Sequence, residues 1–144
     1  MTVLDAYAVL AYLRNELAAR DVGPVLVSGD CLVTATCVAE VTDQMVRLHN
    51  VDARTAASYL AQLPLRDAVP LDAALGASAG QLRARHYHRT RRSVSMADCV
   101  SAAAAHQLDE PLATSDPALL DMCHDEGIST IVLPGSDGSV WTAP

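Results

Sequence analysis

A chain of 144 residues with a formal net charge of −7, half of it apolar, has the size of one globular domain and is too acidic to coat nucleic acid through a basic surface. All ten basic side chains are arginine, and the absence of lysine excludes a P-loop, a Schiff-base mechanism and a lysine-dependent phosphoryl receiver. The most apolar run, Ala6 to Leu13, falls far short of the ~20 residues a membrane helix needs, no export signal is expected, and the expected compartment is the cytoplasm.

Thr2 to Leu4 is too short and apolar for a solvated strand and suits a parallel sheet covered on both faces. A helix follows at once, with Ala6, Val9, Leu10, Tyr12 and Leu13 at three- and four-residue spacing and Asp5 as its N-cap. Gly23-Pro24 predicts a short second helix starting near Pro24, Gly29-Asp30 a turn, and Cys31 to Val33 a second strand. A longer helix runs from about Thr36 to His49, its apolar stripe being Cys37, Val38, Val41, Met45 and Leu48, with Glu40 near the stripe's edge. Asp52 caps a helix over Ala53 to Leu63 that Pro64 stops. Arg66 to Pro70 reads as a short edge strand, because Pro70 has no N–H for a ladder.

Asp72 caps a helix reaching Tyr87, and Ser95-x-x-Asp98 forms a capping box at the start of a helix to about Gln107. Leu112 to Thr114 is a strand, Asp116-Pro117 begins a helix that Gly127 ends, and Ile128 to Leu133 is the last strand. Pro134 to Pro144 lacks periodicity and reads as a surface tail. Cys31, Cys37, Cys99 and Cys123 include no Cys-x-x-Cys pair and read as buried thiols. Alternating strands and helices imply right-handed crossovers, hence a three-layer α/β/α sandwich with a short-stranded, mainly parallel central sheet, residues 1–144 forming a single domain.

Asp5, Asp98 and Asp116 each stand at a helix start, where capping alone accounts for an acid, and Glu40 alone reads as a solvated helix carboxylate. Convergence changes that reading. In a parallel sheet every strand's carboxyl end faces one rim, so Asp5 and Asp116 share it, with Glu40 and Asp98 in helices nearby. Carboxylates within ~4 Å repel by roughly 1 kcal/mol in water and about 4 at an effective dielectric near 20. Mg²⁺ or Mn²⁺ is the natural counter-charge, since both take oxygen ligands and keep waters, whereas the set holds no His or Cys for zinc. Paired ions of this kind clamp the attacking and leaving oxygens of a phosphodiester displacement.

The ordered set Thr-Val-Leu-Asp5, Ala39-Glu40-Val41, Ser95-Met-Ala-Asp98 and Leu112-Ala-Thr-Ser-Asp116 resembles PIN-domain ribonucleases, and within them the VapC-type toxins of toxin–antitoxin pairs, from Thr2 to about Leu133. The resemblance implies a metal-dependent endoribonuclease in which Asp5, Glu40, Asp98 and Asp116 hold Mg²⁺ or Mn²⁺, with RNA as substrate, a homodimeric state and a cognate antitoxin. It matches Thr114 to a polar position that orders the acidic site, with Ser95 as the supporting cap of Asp98. The family often has an aromatic shortly after the last acid, whereas Pro117-Ala-Leu-Leu120 follows here.

Arg83, Arg85, Arg89, Arg91 and Arg92, with His86 and His88, put half the basic residues into ten positions leading to the Asp98 helix. Arginine forks suit phosphate, so this segment is a candidate RNA-backbone contact. A haloacid-dehalogenase-like phosphatase needs a second Asp where Tyr7 stands. The remaining alternative is a PIN-like RNA-binding or interaction module with little or no turnover, against which four intact acids argue.

Overall fold

A computed structural model describes residues 1–144. The elements are β1 (Thr2–Leu4), α1 (Ala6–Leu13), α2 (Ala19–Val27), β2 (Cys31–Leu32), α3 (Ala35–His49), α4 (Ala53–Gln62), α5 (Ala73–His86), α6 (Met96–Leu108), β3 (Leu112–Thr114), α7 (Pro117–Glu126) and β4 (Thr130–Val132). The four strands pair in the order β2-β1-β3-β4, every pairing parallel. Val3 faces Leu112 and Leu4 faces Ala113 in register.

Strand side chains alternate between the two faces, and each face is buried. Val3, Leu32 and Leu112 pack with residues of α5, α6 and α7 in one core. Leu4, Cys31 and Ala113 pack with residues of α1, α2, α3 and α4 in a second core on the opposite face. This is the predicted three-layer α/β/α sandwich. No helix is long and apolar enough to cross a membrane.

Helix starts follow their caps. Asp5, Asp52, Asp72 and Asp116 accept backbone N–H bonds from the first turns of α1, α4, α5 and α7, and Ser95 forms the full capping box with Asp98. α3 begins one residue before the expected Thr36 because the Thr34 hydroxyl caps it, accepting from Cys37 N. At the other end of α7, Gly127 takes the left-handed conformation at φ 68°.

Three expectations need correction. α2 begins at Ala19 and carries Pro24 inside it. The proline removes one N–H from the helix, but it lies on an exposed face where the Arg20 carbonyl can be hydrated. Arg66 to Pro70 forms no regular strand; it runs along β2 through Arg66 N to Cys31 O, Val69 N to Val33 O and a single bridge between Thr34 and Val69. Leu48 is 53 % exposed, since the last turn of α3 extends past the layer that buries Cys37, Val41 and Met45.

The terminal segment is tethered to the core layers. Pro134 O accepts the Tyr7 hydroxyl at 2.8 Å, and Trp141 donates its indole N–H to Asp121 of α7, also at 2.8 Å.

Candidate active site

Strand order decides where a crevice opens. From β1 the chain crosses to β2 on one side, and from β3 it crosses to β4 on the other, so β1 and β3 are neighbours whose following helices diverge. Open parallel sheets bind ligands at the carboxyl ends of such a strand pair. Asp5 follows β1 and Asp116 lies two residues past β3. Glu40 comes from α3 and Asp98 from the first turn of α6, two helices that pack against each other. All four line one cavity of ≈ 460 Å³, together with Ser95, Ser93, Gln44, Tyr7, Ser136, Arg14 and Glu16.

Each carboxylate is held by a protein donor on one oxygen. Asp5 Oδ1 accepts from Ala8 N at 2.7 Å, Asp98 Oδ2 from Ser95 N at 2.7 Å, Asp116 Oδ1 from Ala118 N at 2.7 Å, and Glu40 Oε1 from Gln44 Nε2 at 3.1 Å. The other oxygen of Glu40, Asp98 and Asp116 has no protein donor. Capping and site-building are thus compatible roles. The cap bond sets the rotamer with one oxygen and leaves the second to the cavity. Thr114, wholly buried at the end of β3, accepts from Asp116 N at 3.1 Å, and its side chain favours the ionised form of Asp5, so it acts on both junctions.

The electrostatics show a site short of positive charge. Burial pushes the Asp5 carboxyl up to about 7; the Thr114 side chain and the Ala8 N–H oppose this, and the charges of Asp98 and Asp116 add to it. Glu40 is raised by burial and by the Asp98 charge, and Asp116 by burial against its two cap bonds. As positioned, no three His, Cys, Asp or Glu groups converge on one point as the ligands of a metal ion would. The donor set would suit a hydrated hard cation. The donors are all oxygen, the cavity has room for the waters that Mg²⁺ retains, and the nearby Cys37 thiol is locked in its protonated form by burial.

The arginine-rich segment divides in two. Arg85 pairs with Glu126 at 2.9 Å and Arg92 with Asp125 at 2.7 Å, while His86 bridges to Glu126 at 2.5 Å. The Arg85 and His86 bonds hold the Glu126 carboxyl down to about 2. Arg83 donates to Val94 O and lies over the Tyr87 ring. Arg89 and Arg91 are exposed, with no ion pair, on the turn between the bridged residues His88 and Arg92. None of these arginines lines the acidic cavity. Arg14 and Glu16 do, joined by a 2.6 Å ion pair. Sequence reading missed both. Their signal was slight, a charged pair just past the end of α1.

The PIN domain profile matches residues 2–125. A search of curated protein sequences finds no significant match. Among solved structures the fold is similar to VapC20 of Mycobacterium tuberculosis, a sarcin-ricin loop cleaving toxin, with 15 % identity, TM-score 0.62, and 78 % of this chain and 87 % of that one covered. It is similar to FitAcB of Neisseria gonorrhoeae, at 22 % identity, TM-score 0.61, covering 91 % of this chain and 96 % of that one. FitAB bound to an IR36 DNA fragment is also similar, at 20 % identity, TM-score 0.63, covering 91 % of this chain and 94 % of that one.

Proposed function

The chain belongs to the PIN domain family, and on that premise we propose that residues 1–144 form a single Mg²⁺- or Mn²⁺-dependent endoribonuclease domain, the toxin of a toxin–antitoxin pair. The observation that carries the reading is the arrival of four carboxylates, Asp5, Glu40, Asp98 and Asp116, from separate segments in one cavity at the β1/β3 crevice.

In this reading the four acids hold the cation. When bound, the ion stabilises the phosphoryl oxygens and lowers the pKa of a water ligand. The chain's own groups prepare the place. Ala8 N and Thr114 orient Asp5, the Ser95 backbone fixes Asp98, and the start of α7 fixes Asp116. Glu40, held by Gln44 and raised by burial, is suited to accept a proton from an attacking water as the P–O bond breaks. Arg89 and Arg91, unpaired and two to four residues before Ser93, are the members of the arginine segment suited to a distant RNA phosphate.

An antitoxin partner and a homodimer belong to the same proposal. A second cavity of ≈ 570 Å³ lined by Tyr12, Leu13, Asn15, Ala19, Arg20 and Tyr59 offers apolar surface beside the site, and Leu48 and Val46 stand exposed on α3.

The test is cleavage of RNA by the purified protein with Mg²⁺ or Mn²⁺ and with EDTA. Cleavage that depends on the ion and falls at least ~100-fold in Asp98→Asn supports the proposal. Equal cleavage by Asp98→Asn overturns the site, and RNA binding without turnover under any divalent ion turns the reading into a binding module.

A further inference from the structure

We propose that Arg14 is a substrate-positioning residue, gripping an RNA phosphate next to the one being cut. This rests on the nuclease reading above and assigns a role to a residue outside the four acids. Arg14 is the only basic side chain lining the acidic cavity. It is the C-cap residue of α1, and Asn15 after it takes the left-handed conformation at φ 55°, which turns the chain so that Glu16 N bonds back to Ala11 O at 2.8 Å. The turn brings the two side chains together, Arg14 Nη1 to Glu16 Oε1 at 2.6 Å.

The pairing matters because of what it avoids. A cation beside four carboxylates would be expected to neutralise one of them, yet the Arg14 ion pair goes to Glu16, leaving the acids free for a metal. Glu16 approaches the guanidinium at Nη1 alone, and the side chain is 48 % exposed at the cavity wall, so its other N–H groups are open to an anion. An exposed ion pair adds little stability, so folding alone is a weak reason for the arrangement. A strand whose scissile phosphate is held at the carboxylates through a cation carries its neighbouring phosphates along the cavity wall, where Arg14 is the one positively charged side chain among the neutral Ser93, Ser95, Ser136, Gln44 and Tyr7. A guanidinium fork offers a phosphate two parallel bonds, which fixes register.

The experiment compares Arg14→Gln and Arg14→Lys with the unsubstituted protein in steady-state cleavage of an RNA it cuts, and measures binding of labelled single-stranded RNA between 50 and 200 mM salt in the Asp98→Asn background. Arg14→Gln is expected to raise KM and Kd about tenfold and to reduce the slope of log K against log salt by about 0.7, one single-strand phosphate contact. Arg14→Lys is expected to keep the slope while recovering only part of the affinity, because the charge remains and the fork is lost. Unchanged KM, Kd and slope in Arg14→Gln overturn the proposal, as does a lowered melting temperature with unchanged RNA binding, which makes the pair a helix-end device. A tighter Mn²⁺ affinity with unaltered RNA binding also overturns it, leaving Arg14 a charge compensator. Failure of the unsubstituted protein to cut any RNA with Mg²⁺ or Mn²⁺ is a failure of the nuclease reading instead.

Discussion

Replacing Asp5 by Asn is expected to shift the stability of the metal-free protein in the variant's favour, relative to the parent, as pH rises through 7. Asp5 is 4 % exposed, and its carboxyl sits at about 7 in the fold against an ordinary value of 3.8. A raised folded pKa means that the native state binds the proton more tightly than the unfolded chain does. The resulting stability is fully present below the unfolded value and disappears as pH rises through 7. At about 1.4 kcal/mol per pH unit, the interval between 3.8 and 7 corresponds to about 4 kcal/mol, of which about 2 are lost between pH 5.5 and 8. Asn keeps the N-cap on Ala8 and cannot ionise. Whatever constant offset the amide brings, the stability difference should therefore move in its favour by about 2 kcal/mol over that range, or roughly 5 °C in melting temperature for a domain of this size. Urea unfolding in EDTA at several pH values reads this directly. Adding millimolar Mn²⁺ at pH 8 should raise the parent more than the variant, because only the ionised site binds the ion well. A stability difference that does not change with pH would refute a buried, charge-starved Asp5.

Converting Arg89 and Arg91 together to Ala should weaken RNA binding across sequences and lower the salt slope by about 1.4, two single-strand phosphate contacts, with the melting temperature unchanged because neither has an ion pair; fluorescence anisotropy and a thermal melt check both halves. Ser95→Ala should cost about 1 kcal/mol in urea unfolding through the lost cap on Asp98 N, and should also lower cleavage, since α6 frays where Asp98 is held.

The local chemistry of the chain was legible in the sequence. Asp5, Asp52, Asp72, Ser95 and Asp116 announce helix starts because capping depends on a side chain and the next three backbone N–H groups, and Gly127 announces an end because the left-handed region favours glycine. Short apolar strands alternating with helices likewise dictated a parallel sheet covered on both faces, and a shared rim for Asp5 and Asp116 followed from parallelism alone. Other facts needed the tertiary structure. The order β2-β1-β3-β4, which makes the two acid-bearing junctions neighbours, depends on which way each crossover turns. Pro24 was tolerated within α2 because its face meets water, and Leu48 was left exposed because α3 extends past its cover; both are properties of surroundings. The arginine segment reads as one cluster in sequence, but acids more than thirty residues away, Asp125 and Glu126, claim Arg92 and Arg85 and leave Arg89 and Arg91 free. Arg14 reached the cavity wall only through the turn at Asn15 and the packing of α1 over the β1/β3 crevice, because a charge acquires its neighbours from the fold.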